Sequence, residues 1–273
     1  MLTGASRFVK SRLGIIHSMA QSENLVFGIN PVLEVLHARG GDVEEILVSS
    51  GSERDALIRV AREARRRGLR VISVERKVLD RLAEGQRHQG VIARVKAYEY
   101  FAFEDLLQRI AAGASAEWIL ILDGLTDPRN FGALLRTAEA AGIHYVVIPK
   151  DRSVEITAVA VKASAGAAYH VNVSRVTNLR RAIEQLKECG YWIVGLDSGS
   201  RETIYEKDYP ARLAIVLGSE GKGIRPIILR ECDFLVSIPM LGKVASLNVG
   251  AAAAIFFYEI LRQKLNLSRP AGR

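Results

Sequence analysis

From Asn24 onward the apolar and polar positions of this chain fall into short, regular blocks. Asn30-Pro31 supplies a helix cap and a proline for the first helical position, Val32, Leu33, Val35 and Leu36 follow, and Gly40-Gly41 closes the block. A short helix is predicted there. Glu45–Ser49 reads as a strand, Glu53–Arg67 as a helix with Leu57, Val60, Ala61 and Ala64 on one face, and Leu69–Val74 as another strand. A helix over Lys77–Ala83 and a strand over Gly90–Val95 complete a compact α/β unit.

Beyond it the rhythm changes. Tyr98–Ser115 forms a junction with a short amphipathic helix over Phe103–Ile110. Then come near-continuous apolar runs, Trp118–Leu122, Tyr145–Ile148, Trp192–Leu196, Leu213–Leu217 and Phe234–Ile238, alternating with helical segments. Strands of this kind belong to a parallel sheet covered on both faces. The Ala-rich stretch Val244–Phe257 carries Ser246 and Asn248, and it is shorter than the roughly 20 residues of a membrane span. It reads as a buried helix, and no membrane partner is expected. The division that follows is an extension over residues 1–23, a small α/β domain over 24–97, a linker over 98–115, a larger α/β domain over 116–265, and a tail over 266–273.

Composition adds a partner. The 273 residues carry 38 Lys and Arg against 30 Asp and Glu, a formal charge of +8, which makes a polyanion such as RNA plausible because phosphate contacts release counterions. The helix of the first domain concentrates Arg59, Arg62, Arg65, Arg66 and Arg67. Such a cluster suits an RNA backbone and equally suits a solvated helix face. Cys189 and Cys232 lie far apart, so neither a disulfide framework nor a zinc site is suggested and a reducing cytoplasm fits. The five histidines show no metal spacing, and no metal is expected. Residues 1–21 are too weakly apolar for a secretory signal, and Met19 offers an alternative start.

Chemistry concentrates in three loops that follow predicted strands: Asp123–Gly132, running into a helix over Ala133–Ala138, then Gly218–Ile224, then Ile238–Asn248. Ligands of parallel sheets bind beyond the carboxyl ends of the strands. These loops match neither a dinucleotide fingerprint nor a phosphate loop, since Gly218–Gly223 lacks the G-x-G-x-x-G spacing and neither Gly-Lys pair is followed by Ser or Thr. Taken singly, Asn130 reads as a helix cap, Arg136 as a salt-bridging helix residue, and Ser246 with Asn248 as a helix start.

Taken jointly, Asp127-Pro-Arg-Asn-Phe-Gly-Ala-Leu-Leu-Arg-Thr-Ala138, Ile215–Gly223, and Ile238-Pro-Met240 with Ser246-Leu-Asn-Val249 resemble the three ordered motifs of the SpoU, or TrmH-like, branch of the SPOUT RNA methyltransferases. Phe27–Leu36 and His88-Gln-Gly-Val91 resemble the substrate-binding domain of the same family, so the likeness runs from about Asn24 to Gln263. Lys162-Ala-Ser-Ala-Gly-Ala167 is similar to a segment of its two-domain ribosomal RNA enzymes. The resemblance implies an α/β fold with a trefoil knot in a mostly parallel C-terminal sheet, a smaller N-terminal RNA-binding domain, and a homodimer. It implies transfer of a methyl group from S-adenosylmethionine to a ribose 2'-hydroxyl, in particular of a guanosine in 23S ribosomal RNA.

By the same resemblance Gly218, Ile238 and Leu247, with Gly221 and Met240, contact the cofactor. Arg136 acts beside the 2'-hydroxyl, as an alkoxide stabiliser more than as a base. Asn130 orders the first loop, Glu220 orients partners, and Ser246 and Asn248 shape the pocket, while Arg59, Arg62 and Arg66 are the expected RNA contacts. Gly250 departs from the family, which often has Ser there. Rival readings are a transfer RNA or other ribosomal RNA methyltransferase, including a resistance enzyme, and a non-catalytic ribosome-assembly factor.

Overall fold

The computed structural model describes residues 24–51, 54–113, 118–244 and 246–267. The expected extension over 1–23, the last residues of the junction and the tail beyond 267 lie outside the described residues. The chain divides into two compact units between Ala97 and Tyr98, with His37–Arg39 grouped with the second.

The first unit contains β1 (Leu25–Phe27), α1 (Ile29–Arg39), β2 (Val43–Ser49), α2 (Asp55–Arg66), β3 (Arg70–Val74), α3 (Arg76–Ala83) and β4 (Val91–Val95). Its sheet has the order β1-β4-β2-β3, with β2 and β3 parallel and the other pairs antiparallel. The crossover helix α2 buries Leu57, Val60 and Ala64, which sit at helical spacing on one face. Two differences from expectation stand out. The three residues of β1 are too few to show a period, although all are buried against β4. The start of α1 is Ile29 rather than Pro31, because Gly28 takes the cap position at φ +98°, ψ 160°, a conformation open only to glycine. Pro31 then sits in the first turn, where a missing N–H costs no helical bond.

In the second unit α4 (Phe103–Ala111) leads to β5 (Trp118–Asp123), α5 (Pro128–Ala140), β6 (Tyr145–Pro149), α6 (Ala158–Ala163), β7 (Asn172–Val176), α7 (Leu179–Glu188), β8 (Trp192–Leu196), β9 (Leu213–Gly218), α8 (Pro226–Leu229), β10 (Phe234–Val236) and α9 (Val249–Leu267). Six parallel strands in the order β10-β8-β9-β5-β6-β7 form one sheet. Residues of β5 and β9 are buried almost throughout, as strands covered on both faces must be. A parallel sheet turns every carboxyl end toward one edge. That edge carries the loops discussed below.

Three expectations need correction. The edge strand β7 was not anticipated, because Ser174 and Arg175 interrupt its apolar pattern. Helix α5 begins at Pro128, not Ala133: Asp127 caps it by accepting from the Arg129 N–H at 2.8 Å, and proline fits the first position. Asn130 therefore lies in a helical turn rather than in a loop. Helix α9 runs from Val249 to Leu267 where Val244–Phe257 was expected; Val244 is exposed outside it, and the helix is buried on one side only, leaving Ile255, Tyr258 and Leu265 exposed. Between α5 and α6 the backbones approach closely at Gly132, where a Cβ would overlap the Ala160 carbonyl oxygen. The segment after α6 is fixed by buried Ser164, whose hydroxyl donates to the Val161 carbonyl at 2.8 Å and accepts from Gly166 and Ala168 N–H groups.

Candidate active site

Strand β5 ends in Asp123, whose side chain is fully buried. A buried carboxylate needs partners. Asp123 finds them 102 residues on, accepting from the Arg225 backbone N–H at 2.8 Å and from its Nε at 2.7 Å. This pair fixes the exit of the loop that follows β9. The loop itself closes through reciprocal bonds between Ser219 and Gly223, at 3.0 and 2.9 Å. Gly218 lies so close beneath it that a Cβ would overlap the Gly223 carbonyl carbon and the Ile224 nitrogen.

Three polar side chains from three elements then meet. Asn130, in the first turn of α5, donates through Nδ2 to Glu220 Oε1 at 2.8 Å and to Asp127 at 3.3 Å. Asn248 Nδ2 donates to the same Glu220 oxygen at 2.8 Å and to Asn130 Oδ1 at 3.1 Å. The Oδ1 of Asn248 accepts from the Gly250 N–H at 2.9 Å, holding the start of α9. The hydrogen bond at Gly250 is made by its backbone, so the departure from Ser leaves this contact intact.

These groups border a cavity of about 540 Å³, walled by the loops after β8, β9 and β10 and by the first turns of α9. Every expected cofactor residue, Gly218, Gly221, Ile238, Met240 and Leu247, is on its wall, as are Glu220, Ser246 and Asn248. Asn130 adjoins the wall through its bonds to Glu220 and Asn248. Arg136 does not line the cavity: it is exposed on α5, and its side chain has no hydrogen bond or ion pair among the described residues. In the first unit Arg59, Arg62 and Arg66 are exposed and share one stripe of α2, at spacings of three and four residues.

Two features escaped the sequence reading. Asp197 and Ser198, after β8, also line the cavity. The sign was available, since β8 was expected to be parallel and any loop leaving its carboxyl end belongs to the same edge. The Asp123–Arg225 pair had no such sign. Burial pushes the Cys232 thiol up to about 12, which leaves it protonated and without a nucleophilic role. Among the described residues no helix is long and apolar enough to cross a membrane, and no group of three or more His, Cys, Asp or Glu side chains could hold a metal.

Comparison with known proteins gives matches over both units. Residues 117–258 match the model of the SpoU rRNA Methylase family, and residues 25–101 match that of RNA 2'-O ribose methyltransferase substrate binding. The chain is 42% identical over 244 residues to the 23S rRNA (guanosine-2'-O-)-methyltransferase RlmB of Shewanella oneidensis, covering 89% of this chain and 99% of the relative. It is 40% identical over 240 residues to the RlmB of Escherichia coli K12, covering 88% and 98%. In fold it is similar to the crystal structure of the SpoU methyltransferase AviRb from Streptomyces viridochromogenes in complex with the cofactor AdoMet, with a TM-score of 0.74, 24% identity and 93% of each chain covered.

Proposed function

Because the chain belongs to the SpoU rRNA methylase family, we propose that it transfers a methyl group from S-adenosylmethionine to the 2'-hydroxyl of a guanosine in 23S ribosomal RNA. The observation that carries this reading is the Asn130–Glu220–Asn248 network on the wall of a cavity framed by post-strand loops. Relatives about 40% identical over nearly their whole length bear the name of that activity.

The cavity suits the cofactor. Its volume is in the range of small-molecule sites, Ile238 and Leu247 offer apolar surface to a purine, and Gly218 leaves backbone rather than side chain on the wall. When bound, S-adenosylmethionine supplies a sulfonium methyl group already activated for in-line displacement. The residues of the chain have to align the ribose and manage the charge on its oxygen. Glu220 Oε1 accepts two amide bonds, so it serves as a scaffold that sets Asn130 and Asn248. Arg136 carries the charge: a guanidinium donates hydrogen bonds and has no acceptor, so it stabilises the developing alkoxide while the hydroxyl proton passes to a phosphate oxygen of the RNA or to water, and the cofactor leaves as S-adenosylhomocysteine. Its exposure, and the lack of a side-chain partner among the described residues, support a meeting with RNA. Arg59, Arg62 and Arg66 hold the RNA backbone.

The same reading includes a trefoil knot and a homodimer, with rRNA processing in the cytoplasm as the setting. Convergence of three post-strand loops and α9 on one cavity supports the knot. Ile255, Tyr258 and Leu265, exposed along one stripe of α9, support a dimer face. The test is transfer of labelled methyl from S-adenosylmethionine to total RNA of a deletion strain, followed by mass spectrometry of the modified nucleoside. The expected product is 2'-O-methylguanosine in the large-subunit RNA. Label in transfer RNA or in another nucleoside overturns the substrate, and no label overturns the enzyme.

A further inference from the structure

We infer that Asp197 recognises the cofactor, its carboxylate accepting hydrogen bonds from the ribose diol of S-adenosylmethionine. This rests on the reading of the cavity given above. Two acidic side chains line that cavity, Asp197 and Glu220. Glu220 is committed to the amides of Asn130 and Asn248. Asp197 has no side-chain hydrogen bond or ion pair among the described residues. A half-buried carboxylate with unfilled acceptor sites, facing a cavity, lacks donors that a ligand can bring.

The backbone under it is fixed. The Asp197 N–H donates to the Val236 carbonyl at 2.9 Å, and its own carbonyl accepts from the Ser200 N–H at 3.1 Å. Oδ1 of the carboxylate faces the loop after β9, since a Cβ built on Gly223 would stand 3.9 Å from it, while Oδ2 lies on the side of Gly199 in its own loop, 3.1 Å from a Cβ built there. The register then selects which part of the cofactor it meets. Leu196 pairs with Val236 across β8 and β10, so Asp197 follows the strand pair at the level of Ser237, beside Leu196 and Ile238 on the cavity wall. Those two apolar side chains suit a purine, and the ribose is the group bonded to it. The methyl-bearing end must instead approach Glu220 and Asn248, where the RNA is methylated. A carboxylate offers its two oxygens to the two donors of a vicinal diol, an arrangement recurring where nucleosides bind at the carboxyl ends of parallel strands.

The experiment is calorimetric titration of the full chain, wild type and Asp197→Ala, with S-adenosylmethionine and with 5'-methylthioadenosine, which keeps the nucleoside and lacks the amino-acid end. Loss of hydrogen bonds to a charged group predicts that both affinities fall by the same factor, about tenfold to a hundredfold. The 2'-deoxy form of 5'-methylthioadenosine, weak on the wild type, should lose much less on substitution. The melting temperature without ligand should match wild type. Unchanged affinities overturn the inference, and so does a loss confined to S-adenosylmethionine, which would turn the carboxylate toward the ammonium group. A wild-type protein that binds neither ligand overturns the cofactor reading itself.

Discussion

The two units carry their polar chemistry in opposite ways. In the first, Arg59, Arg62 and Arg66 stand on the outer stripe of α2 while Leu57, Val60 and Ala64 fill the core from its other side. In the second, the polar side chains leave the ends of α5, β9 and α9 and bond to one another. A row of like charges on a helix acts through summed attraction, so each member contributes a similar share. A bonded network acts through geometry, so its members are not additive. On the proposed function, the contrast separates a surface suited to attract a polyanion from a site suited to orient one atom.

The largest expected effect breaks the comparison at the second unit. Arg136→Ala should lower methyl transfer about a thousandfold, the scale of losing a donor to a developing oxyanion, with S-adenosylmethionine affinity and melting temperature unchanged. Turnover near the wild-type rate in the purified variant would remove Arg136 from the mechanism. A smaller effect sharpens the first unit. Replacing Arg59, Arg62 and Arg66 together by Ala should weaken RNA binding and flatten its dependence on log salt by about 2 to 3, with each single replacement giving about a third of that. A single replacement that reproduced the whole loss would show that α2 also works by geometry.

The smallest effect concerns a local cluster. Glu259, buried on α9, accepts from Arg262 Nε and from Gln263 at 2.8 Å each, and the hydrogen bond from the Arg262 guanidinium holds its carboxyl below the usual carboxylate range. A depressed carboxyl adds stability above its unfolded value, near pH 4.3, and that stability disappears as the pH falls through the folded value. Glu259→Gln should therefore cost about 1 kcal/mol at neutral pH in chemical denaturation, and progressively less as acid protonates the folded carboxyl. A difference that grew with acid would contradict the assignment.

How much was legible follows from the same contrast. The strands β5, β8 and β9 were readable because burial on two faces leaves nearly unbroken apolar runs. Edge position relaxes that demand, and β7 with its Ser174 and Arg175 stayed hidden. The start of α5 was readable in principle from Asp127 and Pro128, but the polar run through Asn130 resembled a loop because those side chains serve the site and its cap rather than the core. The loops around the cavity were readable from their place after predicted strands, whereas the roles of single residues within them came only through family resemblance. Nothing local marks Asp123 as the partner of Arg225, since that pairing exists only once two parallel strands lie side by side.

Asn130 and Asn248 are bonded across 118 residues of chain. Proteins are synthesised from the amino end, so a growing chain can complete β5, β6 and β7 long before the other wall of the cavity exists. Until Asn248 has been released to fold, the amide of Asn130 and the carboxylate of Glu220 lack their third partner. The wall of the cavity is therefore complete only once the segment leading into α9 has emerged and folded.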